Sequence, residues 1–220
     1  MNNSTYYFIN SMFCMIVVIS NVISTKMVKL PFFQDFSIPA GLITYPLTFF
    51  IGNLVTEIYG GKKTKKMVYH AFYMSILAYL IIKLALVLPS PSMENYNHFE
   101  EILGLNGFLL VASLTAYIVS QMLDIRLYSF IKRLTGDRYL WVRNNGSTLI
   151  VQLIDTVIIN IIFLKIGARM EFSQVIPIMI FSYLYKSSFS LVFTPLFYFC
   201  VFLFKKKHPL FFPREPDLET

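Results

Sequence analysis

Four ionisable side chains stand inside otherwise apolar stretches of the chain: Glu57, Asp124, Asp155 and Lys186. In hydrocarbon such a group costs about 3 kcal/mol at a helix centre, so a sequence keeps one there for pairing, for ion movement or for holding a polar solute. Each carboxylate has uncharged polar company at helical spacing. Asn53 and Glu57 are one turn apart and share a helix face. Gln121 and Asp124 recur as Gln152 and Asp155, the same Gln-x-x-Asp pattern further along the chain. Ser113, Tyr117 and Ser120 extend the first of these stripes, and Asn145 and Thr148 extend the second. Lys186 is followed by Ser187, Ser188 and Ser190, a small polar surface that suits close helix packing and a lined cavity alike.

Plain structural roles exist for each. Glu57 would mark an interface beside the lysines at 62–66, Arg126 would neutralise Asp124, and Lys186 would snorkel. A polar stripe over three turns exceeds what one ion pair needs, and no loop lysine easily reaches Asp155. A Lys186–Asp155 pair would account for both residues. Carboxylates, amides and hydroxyls converging from several helices form a polar pocket for a small solute rich in hydrogen-bond donors. An amidine-like edge meets a carboxylate in bidentate fashion, and Phe and Tyr flank its ring.

Catalytic chemistry is not encoded. His70, His98 and His208 are scattered, and Cys14 and Cys200 have no metal-ligand spacing. Gly60-Gly61 with its following lysines is too short for a phosphate-cradling loop. No enzyme, metal site or cofactor is expected.

The elements that must position these residues are membrane helices. Hydrophobic residues make up 56% of the 220, charged residues only 14%, where a soluble domain carries roughly 25%. Mean hydropathy is +0.61. Spans are predicted over about 6–24, 38–58, 67–88, 107–127, 147–167 and 176–204, with a tail over 205–220. The uncharged first 25 residues lack the basic start of a signal peptide and read as the first helix. Thirteen of the nineteen Lys and Arg fall after the second, fourth and sixth spans, and three fall on the opposite side. That bias places both termini in the cytoplasm. The expected fold is therefore an all-α polytopic bundle of about six transmembrane helices in one domain, 1–204. The net charge of +7 serves orientation and an anionic leaflet, so the bilayer is a partner and nucleic acid is not. A homo-oligomer is compatible with the sequence.

The run Tyr45-Pro46-Leu47-Thr48, followed by Gly52-Asn53-Leu54-Val55-Thr56-Glu57-Ile58-Tyr59-Gly60, resembles the most typical motif of the queuosine precursor transporters, within the wider vitamin uptake transporter group. Ser120-Gln121-x-x-Asp124, then Trp141-Val142-Arg143-Asn144-Asn145-Gly146-Ser147-Thr148 with Gln152-Leu153-Ile154-Asp155-Thr156, and Lys186 before Thr194-Pro195, are similar in the same order. The resemblance covers about 39–204. Many members carry Asp where this chain has Asn53. It implies import of a 7-deazaguanine base (queuine, preQ0 or preQ1) for tRNA modification, by a multi-pass carrier of the bacterial inner membrane. The substrate-binding residues it implies are Asn53, Glu57, Gln121, Asp124, Asn145, Gln152, Asp155 and Lys186. The base edge would fall to Asp155 or Glu57 with Asp124 assisting; otherwise Glu57 and Asp124 would serve an inner gate. Two other readings stay open at this point. One is a substrate-binding subunit of an ATP-driven vitamin uptake system, for which Ser20 and Ser24 on the first helix give a thin docking face. The other is a membrane assembly protein whose buried polar groups act as helix–helix glue.

Overall fold

A computed structural model describes residues 3–24, 26–30, 33–103, 107–136, 139–167 and 169–207. The expected tail lies outside the described residues from 208 onward. Among the described residues seven α-helices follow one another: α1 (Asn3–Ile23), α2 (Gly41–Tyr59), α3 (Gly61–Val87), α4 (Met93–Leu103), α5 (Gly107–Thr135), α6 (Leu140–Asn160) and α7 (Phe172–Lys207). The last turns after α6 continue as a π-helix, Ile161–Gly167. Five segments of the described residues are long and apolar enough to cross a bilayer: α1, α2, α3, α6 with its π-helical extension, and α7. α5 has the length as well, 29 residues, and carries Asp124, Arg126, Lys132 and Arg133 within it. α4 is short and polar.

The connector from α1 to α2 is not helical. β1 (Met27–Leu30) pairs antiparallel with β2 (Phe33–Pro39), Met27 opposite Pro39. Pro31 and Pro39 remove backbone donors and push their preceding residues into extended conformations, so helix cannot continue through them. α2 starts only at Gly41.

Burial is inverted relative to a protein in water. Large apolar side chains face outward, among them Leu84, Val87 and Val192. α2 touches α1, α3, α5 and α7, while α6 makes its most extensive contact with α5 and also packs against α7. Nine of the ten buried residues of α6 are polar, from Arg143 to Asn160, with Val151 the exception. With lipid outside there is no hydrophobic force between helices, and polar contacts and close packing hold them together.

The α1–α2 crossing shows the packing part of that. A Cβ on Gly41 would collide with the Ser24 hydroxyl and the Ser20 backbone carbonyl, so only glycine permits this approach. The Ser20 hydroxyl reaches Thr44 of α2 at 2.5 Å. Gly41→Ala is therefore expected to destabilise the protein by about 1–3 kcal/mol through overpacking. Thermal unfolding of the detergent-purified protein would show it, and an unchanged midpoint would refute the contact.

Candidate functional site

The polar interior is arranged in three levels along α6. At the end of the bundle that carries the lysines of 62–66, Glu57 is 3% exposed and fully engaged. Its Oε1 accepts from Arg143 Nη2 at 2.8 Å. Its Oε2 lies 3.1 Å from Lys132 Nζ and accepts from the Tyr128 hydroxyl at 2.9 Å. Arg143 also donates through Nη1 to the Gly136 carbonyl at 2.8 Å. One carboxylate thus ties α2 to α5 and to α6. Arginine suits this role because its planar fork serves two acceptors at once.

Further along α6, in the middle of the bundle, stands Asp155. Its Oδ2 accepts from Lys186 Nζ at 2.7 Å, the pair that the sequence suggested. Its Oδ1 accepts from Ser120 at 3.1 Å and from the Tyr45 hydroxyl. Lys186 also donates to Thr156 at 3.3 Å and sits over the Tyr45 ring, 4.6 Å from its centroid. This second clamp joins α2, α5, α6 and α7. Arg143 and Asp155 are twelve residues apart on α6, so the clamps are separated by about 18 Å at 1.5 Å per residue.

Between them lies a level of neutral polar groups. Asn53 donates to Asn144 at 3.1 Å and to Thr148 at 2.9 Å. These three side chains, with Ser190 of α7, line a small cavity of about 10 Å³ that is flanked by Pro46, Phe49, Phe50 and Phe193. Asn145 turns towards α7, where it accepts from Thr194 at 2.9 Å. Gln121 reaches Thr48 weakly, at 3.5 Å, with its Oε1 unpartnered. Both ends of the Gln152 amide are fully buried without a partner, as are Asp124 Oδ1 and the Ser147 hydroxyl. Buried polar atoms are nearly always satisfied in a folded protein, so the unpartnered atoms of these four side chains set this part of the interior apart from the two clamps.

All eight residues that the sequence nominated are buried in the bundle interior. The structure divides them: Glu57 to one clamp, Asp155 and Lys186 to the other, and Asn53, Gln121, Asp124, Asn145 and Gln152 to the level between. Arg126, the nominal partner of Asp124, is exposed. Sequence reasoning did not nominate Arg143, Tyr45, Tyr128 or Asn144. The predicted span begins at about 147 and leaves Arg143 outside it, whereas α6 begins at Leu140. Its position one turn before Ser147 was the signal that it belongs to the interior face.

Residues 39–200 match the family model described as "Putative vitamin uptake transporter". A Bacillus subtilis protein named "Probable queuosine precursor transporter" is 34% identical over 161 residues, 72% of this chain and 69% of the relative. A Haemophilus influenzae protein of the same name is 24% identical over 139 residues, 61% of this chain and 56% of the relative. No solved structure matches. With a membrane-helix bundle, an inverted burial pattern and these matches over most of its length, the chain belongs to the vitamin uptake transporter family, in its queuosine precursor transporter branch, as a multi-pass transporter of the bacterial plasma membrane and not an enzyme.

Proposed function

We propose that the chain imports a queuosine precursor, a 7-deazaguanine base such as queuine, preQ0 or preQ1, as a secondary carrier of six spans with the lysine-rich end in the cytoplasm. The observation that supports this reading is the middle level, where Phe49, Phe50 and Phe193 flank a cavity with Asn53, Asn144, Thr148 and Ser190 on its polar side; at about 10 Å³ it holds one water and must widen to admit a base. Aromatic faces suit a flat heterocycle, and amides suit the alternating donors and acceptors on its edge. Glu57 and Asp155 would have to surrender protein cations before accepting a base edge, which leaves a buried charge uncompensated at a cost of about 3–5 kcal/mol. Gln152 needs no such exchange, since its carbonyl and amide are both unpartnered. We therefore assign the ring N–H and carbonyl of the base to Gln152, one helical turn along α6 from Thr148 of the cavity wall, and assign Glu57 and Asp155 to the clamps on either side.

Supply by an ATP-driven module is disfavoured by α1. Its Ser20–Ser24 pair already packs on Gly41 and Thr44 of α2 and is not free for docking.

Labelled queuine or preQ1 uptake, read as queuosine content of tRNA in cells unable to make the precursor, tests this reading. Gln152→Ala is expected to lower uptake at subsaturating substrate by roughly 5–100-fold, as loss of hydrogen bonds worth about 1–3 kcal/mol requires. Full uptake by Gln152→Ala would move the base elsewhere. No uptake by the wild-type chain, alone in liposomes, would remove the secondary-carrier reading.

A further inference from the structure

Three carboxyl groups are buried among the described residues, and their surroundings differ in one respect. Glu57 has Arg143 and Lys132, and Asp155 has Lys186. Asp124 is 2% exposed, has no cation within 4 Å among the described residues, and has one carboxyl oxygen with no hydrogen-bond partner. Ser147 of α6 faces it, and the Ser147 hydroxyl has no other partner. Gln121, one turn away on α5, contributes another unpartnered oxygen.

The ionisable groups on the elements around Asp124 are accounted for. α2 offers Tyr45 and Glu57, both bonded within the clamps. α6 offers Arg143 and Asp155, each held by its clamp partner. Lys186 of α7 is on Asp155. The buried face of α3 is Thr64, Met67, Val68, Ala71 and Ser75, with no ionisable side chain. On α5 itself Arg126 points outward and Lys132 is on Glu57.

The level of Asp124 follows from its own helix. Gln121, one turn to one side, meets Thr48, and Tyr128, one turn to the other, meets Glu57. Asp124 therefore stands between the clamps on α5, near the level of Asn53 and Thr148, while the cavity itself is lined from α2, α6 and α7. A carboxyl without a countercharge at the substrate level is the expected seat of a transported charge, since intramembrane ionisable groups mark ion pathways.

We propose that Asp124 is the seat of the coupling cation: a single proton or sodium ion occupies Asp124 when the cavity faces outward and leaves towards the cytoplasm with the solute. This rests on the secondary-carrier reading above and adds the residue through which the gradient acts.

The test uses the purified full chain in proteoliposomes with labelled queuine or preQ1, driven in one arm by a proton gradient without sodium and in the other by a sodium gradient at equal pH. One arm is expected to produce accumulation, about tenfold for a tenfold gradient with one cation per solute. Asp124→Asn is expected to reduce that ratio to about one while measurable exchange of internal for external solute continues, and Asp124→Glu to keep the gradient response. Exchange without accumulation in either arm of the wild type overturns the cation site alone, as does undiminished accumulation by Asp124→Asn. No exchange and no uptake by the wild type would instead overturn the proposed function. A second readout needs no variant. Modification of Asp124 by a hydrophobic carbodiimide, located by mass spectrometry, is expected to slow with rising pH in the proton case or with added sodium in the sodium case. Modification that ignores both overturns the proposal.

Discussion

Lys186→Met alone is expected to destroy most of the folded protein, and Asp155→Asn added to it is expected to restore much of what was lost. Lys186 Nζ and Asp155 Oδ2 are 2.7 Å apart, with side chains only 2% and 1% exposed. Removing the ammonium strands an anion in the bundle centre, and an uncompensated buried charge costs about 3–5 kcal/mol. The Tyr45 and Ser120 hydroxyls still donate to Oδ1 and soften the loss without cancelling it. The double variant removes both charges, keeps an acceptor for those hydroxyls in the asparagine carbonyl, and fills the lysine stem's volume with methionine. Neutral replacement of a whole buried pair is often tolerated where removal of one partner is not. The measurement is folded yield and thermal midpoint of the detergent-purified variants. A double variant no better than Lys186→Met would mean that the pair does not carry the charge balance described. Lys83→Met is the control. Lys83 is exposed, 5.7 Å from the Tyr79 ring centroid, and its loss is expected to change stability by at most about 1 kcal/mol.

That contrast explains what the sequence could and could not disclose. The helices were legible because a bilayer demands long apolar runs, and the interior faces were legible because polar residues in such runs are costly enough to need a reason. The Gln-x-x-Asp stripes on α5 and α6 did turn inward together. Partnership was harder to read. Glu57 pairs with Arg143 across 86 positions of sequence, and nothing local in either segment specifies the other. Arg143 also counted towards the orientation signal, since an arginine near a helix end looks the same whether it faces water or a buried carboxylate. The hairpin before α2 was not foreseen at all. β1 is four residues long, and no Asn-Gly or Asp-Gly turn announces it. The layer between the clamps was visible as residue types, but its emptiness of partners for Gln152 and Asp124 emerged only once the helices were rotated into place.

The other clamp leads to a prediction about access rather than stability. Glu57, Tyr128, Lys132 and Arg143 draw α2, α5 and α6 together at the lysine-rich end. Arg143 also anchors the turn after α5 through the carbonyl of Gly136, whose positive φ of 57° closes that turn. An alternating-access carrier must break such a tie to release solute on that side, so weakening it favours the state open there. Arg143→Leu leaves Glu57 with Lys132, whose side chain is 32% exposed and so holds the carboxylate less firmly. If the substitution removes about 1.4–2.8 kcal/mol from the closed state, the open population rises roughly 10–100-fold. Arg143→Lys keeps the charge but cannot serve Glu57 and Gly136 together, so its effect is expected to fall between wild type and Arg143→Leu. The readout is the rate at which a water-soluble maleimide, applied from the lysine-rich side, modifies a cysteine placed at Ser190 on the cavity wall, with Cys14 and Cys200 replaced. The graded order of rates, Arg143→Leu above Arg143→Lys above wild type, distinguishes a gate from a purely structural tie. A structural tie would lower folded yield and leave labelling of the surviving folded protein unchanged, which would overturn the gating role.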